Sequence, residues 1–80
     1  MRNEMIGAVV RRAMEQPKFR EELIRNPDEA LSAHGFALEQ EDMEEIRRIQ
    51  RSLDTKSDQD IERELLTIAE EYGVHPAPQA

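Results

Sequence analysis

Two histidines, a set of paired carboxylates and one serine are the residues whose types could do chemistry. His34 stands beside a glycine, His75 lies in a proline-containing tail, and neither has a carboxylate at helix-face ligand spacing. A zinc centre needs three or four ligands, so no metal site is expected. His34 reads instead as a basic group near a helix C-terminus, where a positive charge is favourable. The acid pairs are Asp28/Glu29, Glu41/Asp42, Glu44/Glu45 and Glu70/Glu71. General acid–base catalysis requires a carboxyl group desolvated in a cleft, whereas these pairs fall on polar helix faces. Ser52-Leu53-Asp54-Thr55 invites comparison with acyl carrier proteins, which load a prosthetic group on the serine of an Asp-Ser-Leu motif at a helix start. Here Arg51 precedes Ser52, and Ser52 falls near a helix end. The three glycines are too scattered for a phosphate-binding loop. No catalytic residue and no cofactor is expected, and the chain reads as a non-enzyme.

Composition narrows the classes further. The chain has 80 residues and no cysteine, which removes disulfides, thiolate nucleophiles and cysteine-type metal centres. The net charge is −7, against the basic footprint that duplex nucleic acid demands. Charge is uneven along the chain. Residues 1–25 carry six Lys/Arg against four Glu, and residues 26–80 carry five Lys/Arg against fourteen Asp/Glu. A basic head and an acidic body fit an oriented partner or self-association through opposite ends. Arg11, Arg12, Arg47, Arg48 and Arg51 could meet an anionic partner, or pair with the acids beside them. No apolar run approaches the roughly 20 residues that span a bilayer. The start, MRNEMIGAVVRR, is too short and polar for a signal peptide. A cytoplasmic, soluble protein is expected.

The elements that must position these residues are helical. β-branched runs are absent and straight-chain helix formers dominate. A first helix over about Arg2–Glu15 places Met5, Ile6, Val9, Val10, Ala13 and Met14 on one stripe. Gln16 precedes Pro17, so the chain bends there and Pro17 opens a second helix burying Phe19, Leu23 and Ile24. Asn26 caps a third helix with Ala30, Leu31 and Ala33 inward, and Gly35 ends it with Phe36 packing back. The fourth helix runs to about Leu53, with Met43, Ile46, Ile49 and Leu53 as its stripe. Glu39 is a weak cap there, and Leu38 with Met43 makes a hydrophobic staple. Glu44 is placed to pair with Arg47 or Arg48. Ser57 caps a fifth helix striped by Ile61, Leu65, Ile68 and Tyr72, closed by Gly73. The fold class is all-α: a small irregular, orthogonal bundle of four to five short helices. Residues 1–74 form one domain, and residues 75–80 form a flexible proline-containing tail.

The stretch Phe19-Arg20-Glu21-Glu22-Leu23-Ile24-Arg25-Asn26-Pro27-Asp28-Glu29-Ala30-Leu31-Ser32-Ala33-His34-Gly35-Phe36-Ala37-Leu38-Glu39-Gln40-Glu41-Asp42-Met43 has a distinctive order. An aromatic residue and Leu precede Asn-Pro, then Ala-Leu, Gly-apolar and an acidic helix start. It resembles the leader segments of nitrile-hydratase-like and nitrogen-fixation-associated precursor peptides. More weakly, it is similar to the small helical subunit of protocatechuate-type extradiol dioxygenases. The resemblance covers about residues 13–50. It implies a helical recognition or packing module with no catalytic residue of its own. Two departures stand out. A precursor carries a Cys-, Ser- or Thr-rich core after its leader, but Gly73 is followed only by Val74 to Ala80. Glu39 stands where such segments place Ser or Thr as a cap.

These readings converge on a small acidic interaction domain, leader-like, that docks on a larger enzyme or self-associates as a homodimer. The alternatives are an accessory helical subunit of an oxygenase-type enzyme and an acyl-carrier-like protein. The interaction surface is expected to draw on Met5, Ile6, Val9, Val10, Arg11 and Arg12 of the first helix and on Leu66.

Overall fold

A computed structural model describes residues 4–74. Among them are five helices and no strand: α1 (Glu4–Glu15), α2 (Pro17–Arg25), α3 (Pro27–Ala33), α4 (Gln40–Asp54) and α5 (Asp58–Glu71). The proposed tail, 75–80, lies outside the described residues, as do residues 1–3 at the start of the expected first helix.

Proline sets the first two corners. Gln16 and Asn26 each precede a proline and each adopts an extended backbone (φ −125°, ψ 99° and φ −153°, ψ 90°). The ring of the following proline disfavours the helical region for the residue before it. Asn26 serves both neighbours. Its N–H donates to the Glu22 carbonyl at 2.8 Å, closing α2. Its side-chain oxygen accepts from the Glu29 N–H at 3.3 Å, capping α3.

Glycine sets the endings of α3 and α5. Gly35 (φ 79°) and Gly73 (φ 70°) occupy the left-handed region. At the first, the Phe36 N–H reaches the Leu31 carbonyl at 2.9 Å and the Gly35 N–H reaches Ser32 at 3.2 Å. At the second, Val74 bonds Ala69 at 2.8 Å and Gly73 bonds Glu70 at 3.2 Å. Both are the double-bonded closure that a left-handed glycine permits. Phe36 and Val74 then fold back against the core.

One core unites the helices. Ile6, Val9, Val10 and Ala13 of α1 meet Phe19 and Leu23 of α2, Ala30 and Leu31 of α3, Ile46, Ile49 and Leu53 of α4, and Ile61, Leu65, Ile68 and Ala69 of α5. Leu38 and Met43 pack against its edge, as a staple at the start of α4 should. Two residues of the expected apolar stripes are exposed. Ala33 is exposed because α3 ends there and turns its last residue outward. Met5 is 40% exposed, lying off the strip of α1 defined by Ile6, Val9, Val10 and Ala13.

Backbone packing is uneven. α1 runs close to α2 and α5, α2 close to α3 and α4, and α3 close to α4. The consecutive pair α4 and α5 is not among the closely packed pairs. Gly7 explains how tightly α5 sits on α1. A Cβ at this position would lie 2.9 Å from a Val74 methyl and 3.8 Å from the Tyr72 Cβ. The bare glycine therefore lets the end of α5 approach the helix surface.

Candidate functional site: a polar groove between α4 and α5

The gap between α4 and α5 is a groove of about 100 Å³. Ile49 and Ile68 form its apolar part, and Glu45, Arg48, Ser52, Glu64, Glu71 and Tyr72 form the rest. Its α4 wall follows from helical spacing, since positions 45, 48, 49 and 52 recur every three or four residues along one face. Its α5 wall, at 64, 68 and 71, follows in the same way, with Tyr72 at the cap.

Two hydrogen bonds cross the groove. The Tyr72 hydroxyl donates to Glu45 Oε2 at 2.7 Å. The Ser52 hydroxyl donates to Glu64 Oε2 at 3.3 Å. Arg48 grips Glu45 from its own helix, with Nε donating to Oε1 at 3.1 Å and Nη2 to Oε2. Glu45 is thus a shared acceptor for two helices. The hydrogen bond from Arg48, then that from Tyr72, holds its carboxyl below the usual carboxylate range. Tyr72 is affected in the opposite sense. Burial first, then its hydrogen bond to Glu45 and that group's negative charge, push its hydroxyl up to about 12. A phenol held this firmly protonated is a hydrogen-bond donor and a poor nucleophile or base at neutral pH. The arrangement joins α4 to the end of α5.

A second polar cluster lies at the end of α3. The His34 ring meets Phe19 edge-on at 4.5 Å between centroids. Its Nδ1 is 3.4 Å from Arg12 Nη1 and its Nε2 is 3.4 Å from Glu22 Oε1. The Arg12 guanidinium also lies over the Phe36 ring, 5.5 Å from its centroid. His34 therefore links α1 and α2 to the end of α3.

The expected interaction surface divides in two. Leu66, at 46% exposure, and Met5 are at the surface. Ile6, Val9 and Val10 are not: they lie inside this chain's own core at 3%, 0% and 1% exposure. The reason is that α1 packs in cis between α2 and α5, which bury the middle of its apolar stripe. Of the two arginines, Arg11 pairs with Glu15 at 3.1 Å across one helical turn, and Arg12 is engaged as described.

Other ion pairs differ from the expected ones. Arg47 reaches Asp28 on α3 at 3.1 Å, and Arg48 takes Glu45, so neither forms the expected pair with Glu44. The Glu45–Tyr72 link was not legible in the sequence. Helical spacing places Tyr72 on the inner stripe of α5 but carries no information on which α4 acid it would meet. Ser52 falls in the last turn of α4, away from the helix start that a carrier-type attachment uses.

Among the described residues, no group of three or more His, Asp or Glu is placed to hold a metal ion. None of their helices is long and apolar enough to cross a membrane. No family model matches the chain, and no curated protein or solved structure matches it either.

Proposed function

We propose that this chain is a non-enzymatic helical interaction domain that acts by docking on a larger protein. The observation that carries this reading is the division of its side chains. The buried positions among the described residues are apolar, and the charged side chains lie outside the core. Catalysis by acid, base or nucleophile draws on a desolvated polar group. Recognition draws on displayed charge and on a few exposed apolar side chains. This chain displays both: acids along α4 and α5, bases on α1 and α2, and the exposed Met5 and Leu66. The resemblance of residues 19–43 to leader segments supports the same reading.

The partner surface it fits is basic, because acids are displayed along α4 and α5 and the net charge is −7. The test is a pull-down of the tagged chain from its own cells, with intact mass read on the bait and light scattering on the purified protein. A stoichiometric larger chain bound at low salt and released by salt is the expected result. A lone monomer of unmodified mass at every salt concentration contradicts the proposal. A mass increase located on Ser52 would replace it with the carrier reading.

A further inference from the structure

We propose that α5 is a detachable strap on a body formed by α1 to α4, lifting as a unit while that body stays folded. Three independent features place the weak line at α5. The first is packing: the close backbone contact of α5 is concentrated on α1, whereas α2 packs closely against α1, α3 and α4. The second is the nature of the α4–α5 seam. Beside the shared core of Ile49, Leu53, Leu65 and Ile68 it opens into a groove spanned by the Tyr72–Glu45 and Ser52–Glu64 hydrogen bonds. Glu45, Glu64 and Glu71 all line that groove, with Arg48 as its one cation. The third is the charge order of α5 itself. Its last turn holds Glu70 and Glu71 and no basic residue, so negative charge sits at the negative end of the helix dipole.

The other end of the strap is a three-residue connection, in which Lys56 is held to the end of α4 by its N–H on the Leu53 carbonyl and its Nζ on the Ser52 carbonyl. Thr55, Lys56 and Ser57 join α4 to α5, and Ser57 caps α5 independently of α4 by accepting from the Asp60 N–H at 3.3 Å. Lifting therefore leaves the N-terminal cap intact and breaks the seam, the Gly7–Val74 contact and the burial of Ile61, Leu65, Ile68 and Ala69. It also uncovers part of the apolar stripe of α1 that α5 covers when closed. The use of that stripe rests on the interaction-domain reading. The opening itself does not, and it is measured with no partner present.

The experiment is native-state amide hydrogen exchange on the full chain across a denaturant series below the unfolding transition. Sub-global opening shows as a group of amides exchanging through a smaller, less denaturant-dependent step than global unfolding. The amides of Leu65 to Ala69 are expected to exchange at least about tenfold faster than those of Leu23, Ile46 and Ile49. Tyr72→Phe is expected to speed the α5 amides about three- to tenfold, the worth of one hydrogen bond, and to leave α2 and α4 unchanged. α5 amides that exchange only with global unfolding, on the same isotherm as α2 and α4, would overturn the proposal. So would a Tyr72→Phe effect of equal size on every helix. The wild-type series alone decides the matter if the variant does not fold.

Discussion

α4 and α5 are of similar length, follow each other in the chain and contribute similar apolar stripes, yet they are stabilised in opposite ways. α4 begins poorly. Its cap residue, Glu39, makes no side-chain bond to the first turn. Its charges are then better ordered than those of α5, with Glu41 and Asp42 in the first turn and Arg51 beside a single acid, Asp54, in the last. α5 begins well, capped by Ser57, and closes on a left-handed Gly73. Its charges then end in the unfavourable order at Glu70 and Glu71. Neighbours differ too. α4 packs on α2 and α3, sends Arg47 to Asp28 at 3.1 Å, and sends the Gln50 amide to the Ile24 carbonyl at 2.6 Å. α5 leans on α1 through Gly7 and meets α4 through the shared core and across a groove. Good caps thus define where a helix starts and stops, while its neighbours decide how firmly it is held.

The largest effects should come from the shared core. Ile46→Ala on α4 and Leu65→Ala on α5 each remove a side chain that is 1% exposed and should each cost about 2–5 kcal/mol. Thermal or denaturant melts measure both. The comparison sharpens if Ile46→Ala lowers the whole transition while Leu65→Ala broadens it and lowers the denaturant slope. Identical, sharp transitions for both variants would erase the distinction between the helices.

Closure comes next. Gly73→Ala forces a Cβ into a left-handed backbone at φ 70° and should cost about 1–2 kcal/mol. Its effect on exchange should concentrate in α5, because the Val74–Ala69 and Gly73–Glu70 bonds depend on that backbone.

The two caps form a matched pair of smaller effects. Ser57→Ala should destabilise by about 1 kcal/mol, losing the bond to the Asp60 N–H. Glu39→Ser should stabilise by about 0.5–1 kcal/mol, because it supplies α4 with the side-chain acceptor it lacks. A neutral Glu39→Ser would mean that the Leu38–Met43 staple already fixes this start. The smallest expected effect is that of Glu70→Lys, about 0.3–1 kcal/mol of stabilisation from reversing the charge in the last turn of α5. It should fade in high salt.

Much of this was legible in the residues because it is local. Pro17 and Pro27 constrain the residue before them, Gly35 and Gly73 supply left-handed closures, and Asn26 and Ser57 carry capping oxygens. Each acts within about one helical turn, so the chain spells it out. Which helix face meets which neighbour is not local. The stripe of α1 was readable, but its burial between α2 and α5 was not, and so Ile6, Val9 and Val10 read as a surface. Gly7 gave no sign of its role, because the close approach it permits depends on Val74, far along the chain. The groove was illegible for the same reason: Glu45 and Tyr72 are separated by 27 positions and meet only through the tertiary fold.

The central claim is that α5 is tied to α4 by the Tyr72–Glu45 bond across a partly desolvated groove. Tyr72 is the only tyrosine and there is no tryptophan, so a spectrophotometric titration of the folded protein reads this one hydroxyl. The account predicts a midpoint pushed up to about 12, and a smaller rise in Glu45→Gln, which removes the negative charge of the acceptor and leaves the burial in place. The sign for stability follows. A raised folded-state value means the bond contributes fully below the ordinary value of 10.0, and that contribution is lost as pH climbs from there through about 12. A midpoint at the ordinary value in wild type, unmoved by Glu45→Gln, would contradict it.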